Sequence, residues 1–483
     1  MTATTTIADA ELDIEIFRKY AGLSLPRHVS YPMPTGWQDM GEKYFAEMLR
    51  DSQERFLKRG WSLYLHIPFC EALCKFCACN RVIVPKKYGD NWIEPTTRYM
   101  DLLRRDVGRL PGIVSPDREL RQVHWGGGSP TYLTPEMIEQ IATAIKEHLN
   151  LAEDAEVSME MDPRHTTPEL LHLLKRLGFT RLSMGVQDFD AQAQEHVMRI
   201  QPFEMVRDVV RASRAAGFES INFDLIYGMP YQTPQTIRKT VELTIRLQPD
   251  RVAFYHYAQI PHKIATQRGM DYTKLPDSET KLEMFLLGHR LFTQAGYEFV
   301  GLDHFAKPDE MLAQASESGT LQRNFQGMTT GGGLDLIGIG ASSISHFLEV
   351  GFVQNTKDVE AYQKCAAANK WSVVRGKRLT NDDIIRQAVM NQIYCDAQIR
   401  PELLEHRFGI SFREYFAREL QVLQELEDDG LVRIEPDGTG AGRIEITFPL
   451  GRVLMRNVAA VFDVYLRPDA YQTGDRDYFS ANA

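Results

Sequence analysis

The chain has 483 residues, 43% hydrophobic and 25% charged, with a formal net charge of −10. That balance fits a globular protein of two or three domains, or one large barrel with an appendage, and gives no basis for non-specific binding to nucleic acid or an anionic membrane. No apolar run approaches the roughly 18–20 residues of a membrane span, and the acidic start "MTATTTIADAELDIEIF" lacks the basic end and apolar core of a secretory leader, so a cytoplasmic protein is expected.

Residues 1–55 carry no regular alternation and are read as an N-terminal arm or cap. Residues 56–350 behave differently. From about residue 61, apolar extended runs alternate with long amphipathic stretches: "SLYLHIPF", "RQVHWGGG", "EVSMEMDP", "RLSMGVQD", "INFDLIYG" and "RVAFYHYAQ". The intervening "TPEMIEQIATAIKEHL" and "TPQTIRKTVELTIRL" each open with Thr-Pro, an N-cap followed by proline in the first helical position. Strand–helix alternation of this kind builds a parallel sheet covered by helices. The expected fold class is α/β, a partial barrel of six β/α units. Residues 351–375 are read as a connection. Residues 376–470 read as helices followed by the hairpin "LVRIEPDGTGAGRIEITF" and a last helix, a winged-helix-like domain without the dense basic helix of a DNA binder. Residues 471–483 read as a loose tail.

Side-chain parity in the strands bears on function. Val157, Met159 and Met161 point one way and Ser158 and Glu160 the other. In the same sense Leu182, Met184 and Val186 oppose Ser183, Gly185 and Gln187; Phe223, Leu225 and Tyr227 oppose Asn222 and Asp224; Leu63, Leu65 and Ile67 oppose Tyr64 and His66. If the apolar faces meet the helices, the barrel interior is polar. A barrel of this type ordinarily fills its interior with branched apolar side chains, so a polar lining predicts a lumen that holds a ligand. The distinctive residues also gather at the carboxyl ends of the runs (Cys70, Gly126 to Gly128, Glu160, Gln187, Asp224, Ala258), where α/β barrels build their sites.

Four of the six cysteines fall within ten residues, Cys70, Cys74, Cys77 and Cys79, in the spacing C-x3-C-x2-C-x-C. That usage suits a reducing compartment and a metal or redox site. Structural zinc sites usually pair two separated C-x2-C elements, a poor match. Three thiolates spaced in this way can wrap three corners of a cubane iron–sulfur cluster from a single loop, leaving one iron open. Cys79, with only Ala78 between it and Cys77, is open to three readings: a fourth ligand, a functional thiol near the cluster, or a small buried residue. The second motif, "GGGSPTYL", offers bare backbone at a strand end, where amides can bind a carboxylate or phosphate.

C-x3-C-x2-C after the first barrel strand, with Phe76 before the third cysteine and the Gly-rich strand end, resembles the radical S-adenosylmethionine (SAM) superfamily. The longer string "LYLHIPFCEALCKFCACN" is similar to the oxygen-independent coproporphyrinogen III oxidases, marked by the added C-x-C cysteine. Ordered matches continue through "RHVSYP", "HWGGGSPTYL", "MEMDPR", "RLSMGVQDF", "FDLIYGMPYQTP", "GLDHFAKPDEML", "RNFQGMTT", "IGASSIS" and "RNVAAVFDVYLR", over approximately residues 15–467.

The resemblance implies one 4Fe–4S cluster held by Cys70, Cys74 and Cys77, and two SAM molecules. Tyr64, Gly127, Glu160 and Ile344 fall where the family contacts the first SAM. Phe76, Gly128, Ser129, Gln187, Arg199, Asp224 and Ala258 fall where it contacts the second. Cys79 becomes a catalytic thiol and not an iron ligand. The implied reaction is oxidative decarboxylation of two propionates of coproporphyrinogen III to vinyl groups, giving protoporphyrinogen IX in haem biosynthesis. It needs an external electron donor of flavodoxin or ferredoxin type and a terminal acceptor, and a monomer is expected. The alternatives are another two-SAM enzyme acting on a tetrapyrrole, such as a methyltransferase, or a haem-binding chaperone of the same architecture. His28 and Val29 replace the family's usual Tyr and Thr, Ser129 replaces Thr, and Gly331 to Gly333 form an added glycine run; these departures bear on substrate detail.

Overall fold

Six parallel strands form the centre of the molecule: β1 Trp61–Ile67, β2 Leu120–Gly127, β3 Leu151–Met161, β4 Arg181–Gln187, β5 Ser220–Tyr227 and β6 Arg251–His256. They lie side by side in chain order and every neighbouring pair is parallel. The computed structural model describes residues 12–86, 89–435 and 442–473. Beyond β6 the sheet continues antiparallel through β8, His304–Ala306, and β7, Glu298–Val300. Beyond β1 it continues through β9, Asp335–Ile339, which is parallel to β1. The antiparallel strands β10, Ile344–Phe347, β11, Gly351–Asn355, and β12, Val373–Arg378, follow, with Gln38–Asp39 at the edge. The sheet has two free ends, so the barrel is partial. Residues 351–378, read from the sequence as a connection up to 375, thus contribute two strands to this sheet.

The expected helices lie between the strands, and their caps explain where they start. Thr134, Thr167 and Thr233 each accept a backbone N–H of the first turn, with proline following at once. Each such cap contributes about 1 kcal/mol. The strand parity holds: Leu63, Leu65, Ile67, Met159, Leu182, Met184, Val186, Phe223 and Leu225 are buried in one core against the helices. Burying each stabilises the fold by roughly 1.5–3 kcal/mol. The opposite faces line a lumen of about 230 Å³, among them Ser62, His124, Ser158, Glu160, Ser183 and Asp224. β3 starts five residues before its apolar run, because Leu151 pairs with Leu120 ahead of a register shift. There Glu153 and Asp154 are exposed, so no hydrophobic alternation marks the extension.

At the amino-terminal end of the strands, Arg118 pairs with Asp335 at 2.6 Å, both side chains wholly buried. Asp335 also accepts from Ser52 Oγ at 2.5 Å and from the Leu348 amide at 2.9 Å, which ties β9 to the segments before β1 and β2. The arm divides between two cores. Phe45, Met48 and Leu49 pack with the barrel, whereas Phe17, Tyr20, Leu25 and Tyr31 pack with Val389, Tyr394, Phe416 and Leu454 of the C-terminal region. That region pairs Val432–Ile434 with Ile444–Ile446 and adds Gln398–Ile399 as a third antiparallel strand. The tip of the hairpin, 436–441, and the tail from 474 lie outside the described residues. Among the described residues no helix is long and apolar enough to cross a membrane.

Candidate functional site

The loop after β1 is closed at its base. Phe69–Cys70 pairs in parallel with Val82–Ile83, and the Val82 and Val84 amides donate to Pro68 and Cys70 at 2.7 and 2.9 Å. Inside that closure the Cys77 amide donates to the Cys74 carbonyl at 3.1 Å, folding the cysteine segment into a tight turn. Segments that follow β4 and β6 hold its outer side. The Lys75 amide donates to the Val197 carbonyl at 3.0 Å, Gln267 Nε2 to the Phe76 carbonyl at 3.0 Å, and Arg81 to Thr266 Oγ1 at 3.0 Å. The cysteine segment is therefore held both by its own turn and by contacts from the segments that follow β4 and β6.

Cys70, Cys74, Cys77 and Cys79 open onto a cavity of about 230 Å³ at the carboxyl ends of the strands. The same cavity is lined by Phe76, Gly127, Gly128, Ser129, Glu160, Gln187, Arg199 and Asp224. It shares Glu160, Ser183 and Asp224 with the lumen below, so the two spaces share a wall. Of the site residues expected from the sequence, Tyr64, Ala258 and Ile344 are not among its lining. Tyr64 lies on β1 with its hydroxyl 3.0 Å from His66 Nδ1 and its ring stacked on His124. Ala258 follows β6, and its carbonyl accepts from Gln267 Nε2 at 3.0 Å, the same amide that holds Phe76. Ile344 begins β10.

Glycine is required where neighbours approach closely. A Cβ on Gly126 would lie 2.7 Å from Glu160 Oε1, and one on Gly127, at φ +115°, would lie 2.6 Å from the His66 ring. Glu160 thus rests on bare backbone and accepts the Gly127 amide at 3.0 Å. Gln187 adopts φ +67°, a left-handed conformation uncommon for a residue with a Cβ. Its amide turns back over Gly185, where a Cβ would meet both Gln187 Nε2 and Arg199 Nη2.

Charge in the site is unevenly matched. Burial alone would raise Glu160, but the hydrogen bond and charge of His124 and the Gly127 amide outweigh it and hold this carboxyl below its usual range. Asp224 goes the other way: burial, then the Glu160 charge, push it up to about 6 against the opposing hydrogen bond from Asn222. Burial pushes the Cys70 thiol up to about 12, whereas a hydrogen bond with Cys79 draws Cys77 down to about 6 as Cys79 is driven up. The Cys79 amide also donates to the Cys77 sulfur at 3.4 Å.

Sequence reasoning missed the cationic collar around Cys74. Arg199 Nη1 lies 3.6 Å and Arg164 Nη2 3.8 Å from its sulfur, and Asp162 holds both guanidiniums at 3.1 and 2.7 Å. Asp162 and Arg164 stand in the quoted string "MEMDPR" immediately past a strand end, a position that could have flagged them. His124 could have been found by parity, since it shares the inward face of "RQVHW" with Gln122; the structure hydrogen-bonds it to Ser158 at 2.7 Å and sets it 3.4 Å from Glu160.

The donor set fits an iron–sulfur cluster better than a single ion. Among the described residues no three His, Cys, Asp or Glu side chains converge on one metal position, whereas Cys70, Cys74 and Cys77 are spread around one cavity, beside guanidiniums that offset thiolate charge.

The chain is similar to known proteins over nearly its whole length. Residues 64–244 match the Radical SAM superfamily and residues 379–439 the HemN C-terminal domain. The oxygen-independent coproporphyrinogen III oxidase of Synechocystis is 38% identical over 475 residues, covering 97% of this chain and 98% of that protein. The enzyme of the same name from Pseudomonas aeruginosa is 40% identical over 457 residues, covering 94% and 96%. The solved structure of coproporphyrinogen III oxidase (HemN) from Escherichia coli, described as a radical SAM enzyme, superposes with a TM-score of 0.85 at 35% identity, covering 94% of this chain and 99% of that one.

Proposed function

This chain belongs to the oxygen-independent coproporphyrinogen III oxidase family, radical SAM oxidoreductases that work with a 4Fe–4S cluster and SAM, and we propose that it converts two propionates of coproporphyrinogen III into vinyl groups. The product is protoporphyrinogen IX. Each propionate gives up one hydrogen atom from its β-carbon, one carbon dioxide and one electron. When bound, the cluster and SAM supply the one-electron chemistry, a 5′-deoxyadenosyl group able to take that hydrogen atom.

The observation that carries the reading is the convergence of the cysteine loop, the glycine strand end, Glu160, Gln187, Arg199 and Asp224 on one cavity. In this proposal Cys70, Cys74 and Cys77 would hold the 4Fe–4S cluster, and SAM would bind beside it. Two SAM molecules would bind: Tyr64, Gly127, Glu160 and Ile344 would serve the first, and Phe76, Gly128, Ser129, Gln187, Arg199, Asp224 and Ala258 the second. Glu160, kept ionised, accepts from an ammonium group; Asp224, costly to ionise alone, gains most from a cation placed beside it. Asp162 holds Arg199 in position rather than leaving it to swing. Cys79 is a functional thiol holding a proton at Sγ on the cavity wall. A flavodoxin- or ferredoxin-like donor supplies electrons, a separate acceptor takes the last one, and the chain acts as a cytoplasmic monomer. The methyltransferase and haem-chaperone alternatives are not favoured by relatives that carry the oxidase name over nearly their whole length.

The test is an anaerobic assay of the cluster-loaded protein with SAM, a reductant and coproporphyrinogen III, its products separated by chromatography with mass detection. Protoporphyrinogen IX is the expected product. A methylated porphyrin would replace this reading with the methyltransferase, and stable haem binding without turnover with the chaperone.

A further inference from the structure

The face of β6 turned away from the lumen closes a second, smaller cavity of about 40 Å³. It lies where the barrel meets the helix Ser278–Gln294, the N-terminal arm and the two short helices Leu450–Val453 and Met455–Val461. A space of that size is right for one carboxylate or phosphate group, since a single ordered water needs about 10–15 Å³ of the same kind of volume.

Its lining is strongly unbalanced. Among the described residues Arg27, Lys281 and Arg452 line it together with one carboxylate, Asp303. That carboxylate is already engaged: it takes Arg27 at 2.6 Å on one oxygen and His304 Nδ1 at 2.8 Å on the other. Lys281 is only 8% exposed, and the charge of Asp277 supports it against burial, which lowers it. Arg452 donates to the Gly301 carbonyl, but its Nε has no hydrogen-bond partner among the described residues. His256 is 8% exposed, and neither of its ring nitrogens has a hydrogen-bond partner there. Its ring and the Lys281 stem close on the bare Cα of Gly228, where a Cβ would come within 3.3 Å of each. Buried cations without counterions forfeit hydration that nothing in the fold returns, and an orphaned buried imidazole adds to that deficit. Burial drives Arg452 down to about 10, the direction expected of a cation removed from water.

We propose that this cavity is an oxyanion site, with Lys281, Arg452 and His256 receiving a small phosphate- or carboxylate-class ligand. It lies outside the lumen and does not depend on the reaction proposed above. Its lining is drawn from the arm, the barrel and the C-terminal helices, so a bound anion fastens the three together. Through Arg27, Asp303 and His304 it also reaches the lumen wall, which His304 lines.

The experiment measures thermal unfolding of the anaerobic cluster-loaded protein titrated with sodium phosphate or sodium propionate, against sodium chloride at constant ionic strength. A saturating rise in Tm of about 2–4 °C over chloride is expected for the wild type with at least one oxyanion. Phosphate generally stabilises all variants without saturating, which the comparison removes. Lys281→Met should abolish the saturable rise and, with one repelling charge removed, melt in chloride no lower than the wild type. Arg452→Gln is the second variant and should lose the same rise; iron content reports that each has folded. A rise with phosphate alone assigns the site to free phosphate, and a rise with propionate to a carboxylate such as a substrate side chain. No saturable rise in the wild type, or one that persists in both variants, overturns the proposal.

Discussion

The lumen carries ionisable groups at both ends and treats them differently. At the lower end, where the strands begin, Glu156 pairs with Arg181 at 2.8 Å, and Arg251 lies 3.9 Å from Glu156 while also pairing with Glu310. Two carboxylates meet two guanidiniums, and none of the four side chains is more than 17% exposed. At the upper end Glu160 has His124 at 3.4 Å, and its side chain is 43% exposed to the cavity. Burial acts upward on the carboxyls of both tiers. At Glu156 the charges of Arg181 and Arg251 outweigh it and the net shift is downward; at Asp224 the Glu160 charge adds to it and the net shift is upward. The lower tier is electrically closed and holds the barrel's shape. The upper tier is left short of positive charge, the condition a cationic ligand such as a sulfonium relieves.

The largest effects should come from the upper tier and fall on function. Cys74→Ala should abolish turnover and strip the cluster iron, while far-UV circular dichroism of the metal-free chain stays unchanged; full iron occupancy would remove Cys74 from the ligand set. Cys79→Ser should keep the iron and lose decarboxylation, and cluster collapse would make Cys79 a ligand instead. The lower tier should answer in stability. Arg251→Met leaves Glu310 buried without its guanidinium, and removing one partner of a buried pair costs about 3–5 kcal/mol, read from the denaturant midpoint. Specific activity per folded molecule should fall much less than it does in the Cys74 variant. A stable Arg251→Met protein with lost turnover would invert the comparison.

The asymmetry could be partly read from the sequence. Strand alternation turned Tyr64, Ser158, Glu160, Gln187 and Asp224 inward because a period of two is local and survives whatever the strand pairs with. The cysteine spacing is likewise local. What escaped is contact between distant segments. Arg118 and Asp335 are 217 residues apart, and no local rule joins them. β9 and β11 are buried on both faces, so they show no alternation to betray them. The Arg164–Asp162–Arg199 collar needs β3 and the segment after β4 to meet beside a loop from β1. Charge balance between the tiers was invisible for the same reason: Glu156 and Glu160 are on one strand, four residues apart, and only the folded barrel supplies one with arginines and leaves the other without.

The smallest effect is the most direct probe of the upper tier. Asp224 has its carboxyl raised from 3.8 to about 6 in the folded chain. A raised acid binds more protons folded than unfolded between those values, so its contribution to stability is greatest below about pH 4, is lost as pH climbs through about 6, and stays lost above. In the metal-free wild type this one group should lower stability by about 2 kcal/mol across that window, allowing for water in the cavity. Asp224→Asn removes the titration, so the difference between the stability profiles of wild type and variant isolates it from every other group that titrates in the same range. The variant should be the more stable protein above about pH 6 and nearly equal to the wild type at about pH 4. Cluster-loaded wild type with SAM should lose this slope, because a cation beside Asp224 returns its carboxyl toward the ordinary range, while the variant's profile keeps its shape. Parallel profiles for the two metal-free proteins would mean that the upper tier is as well compensated as the lower one, and the contrast between them would fail at its sharpest point.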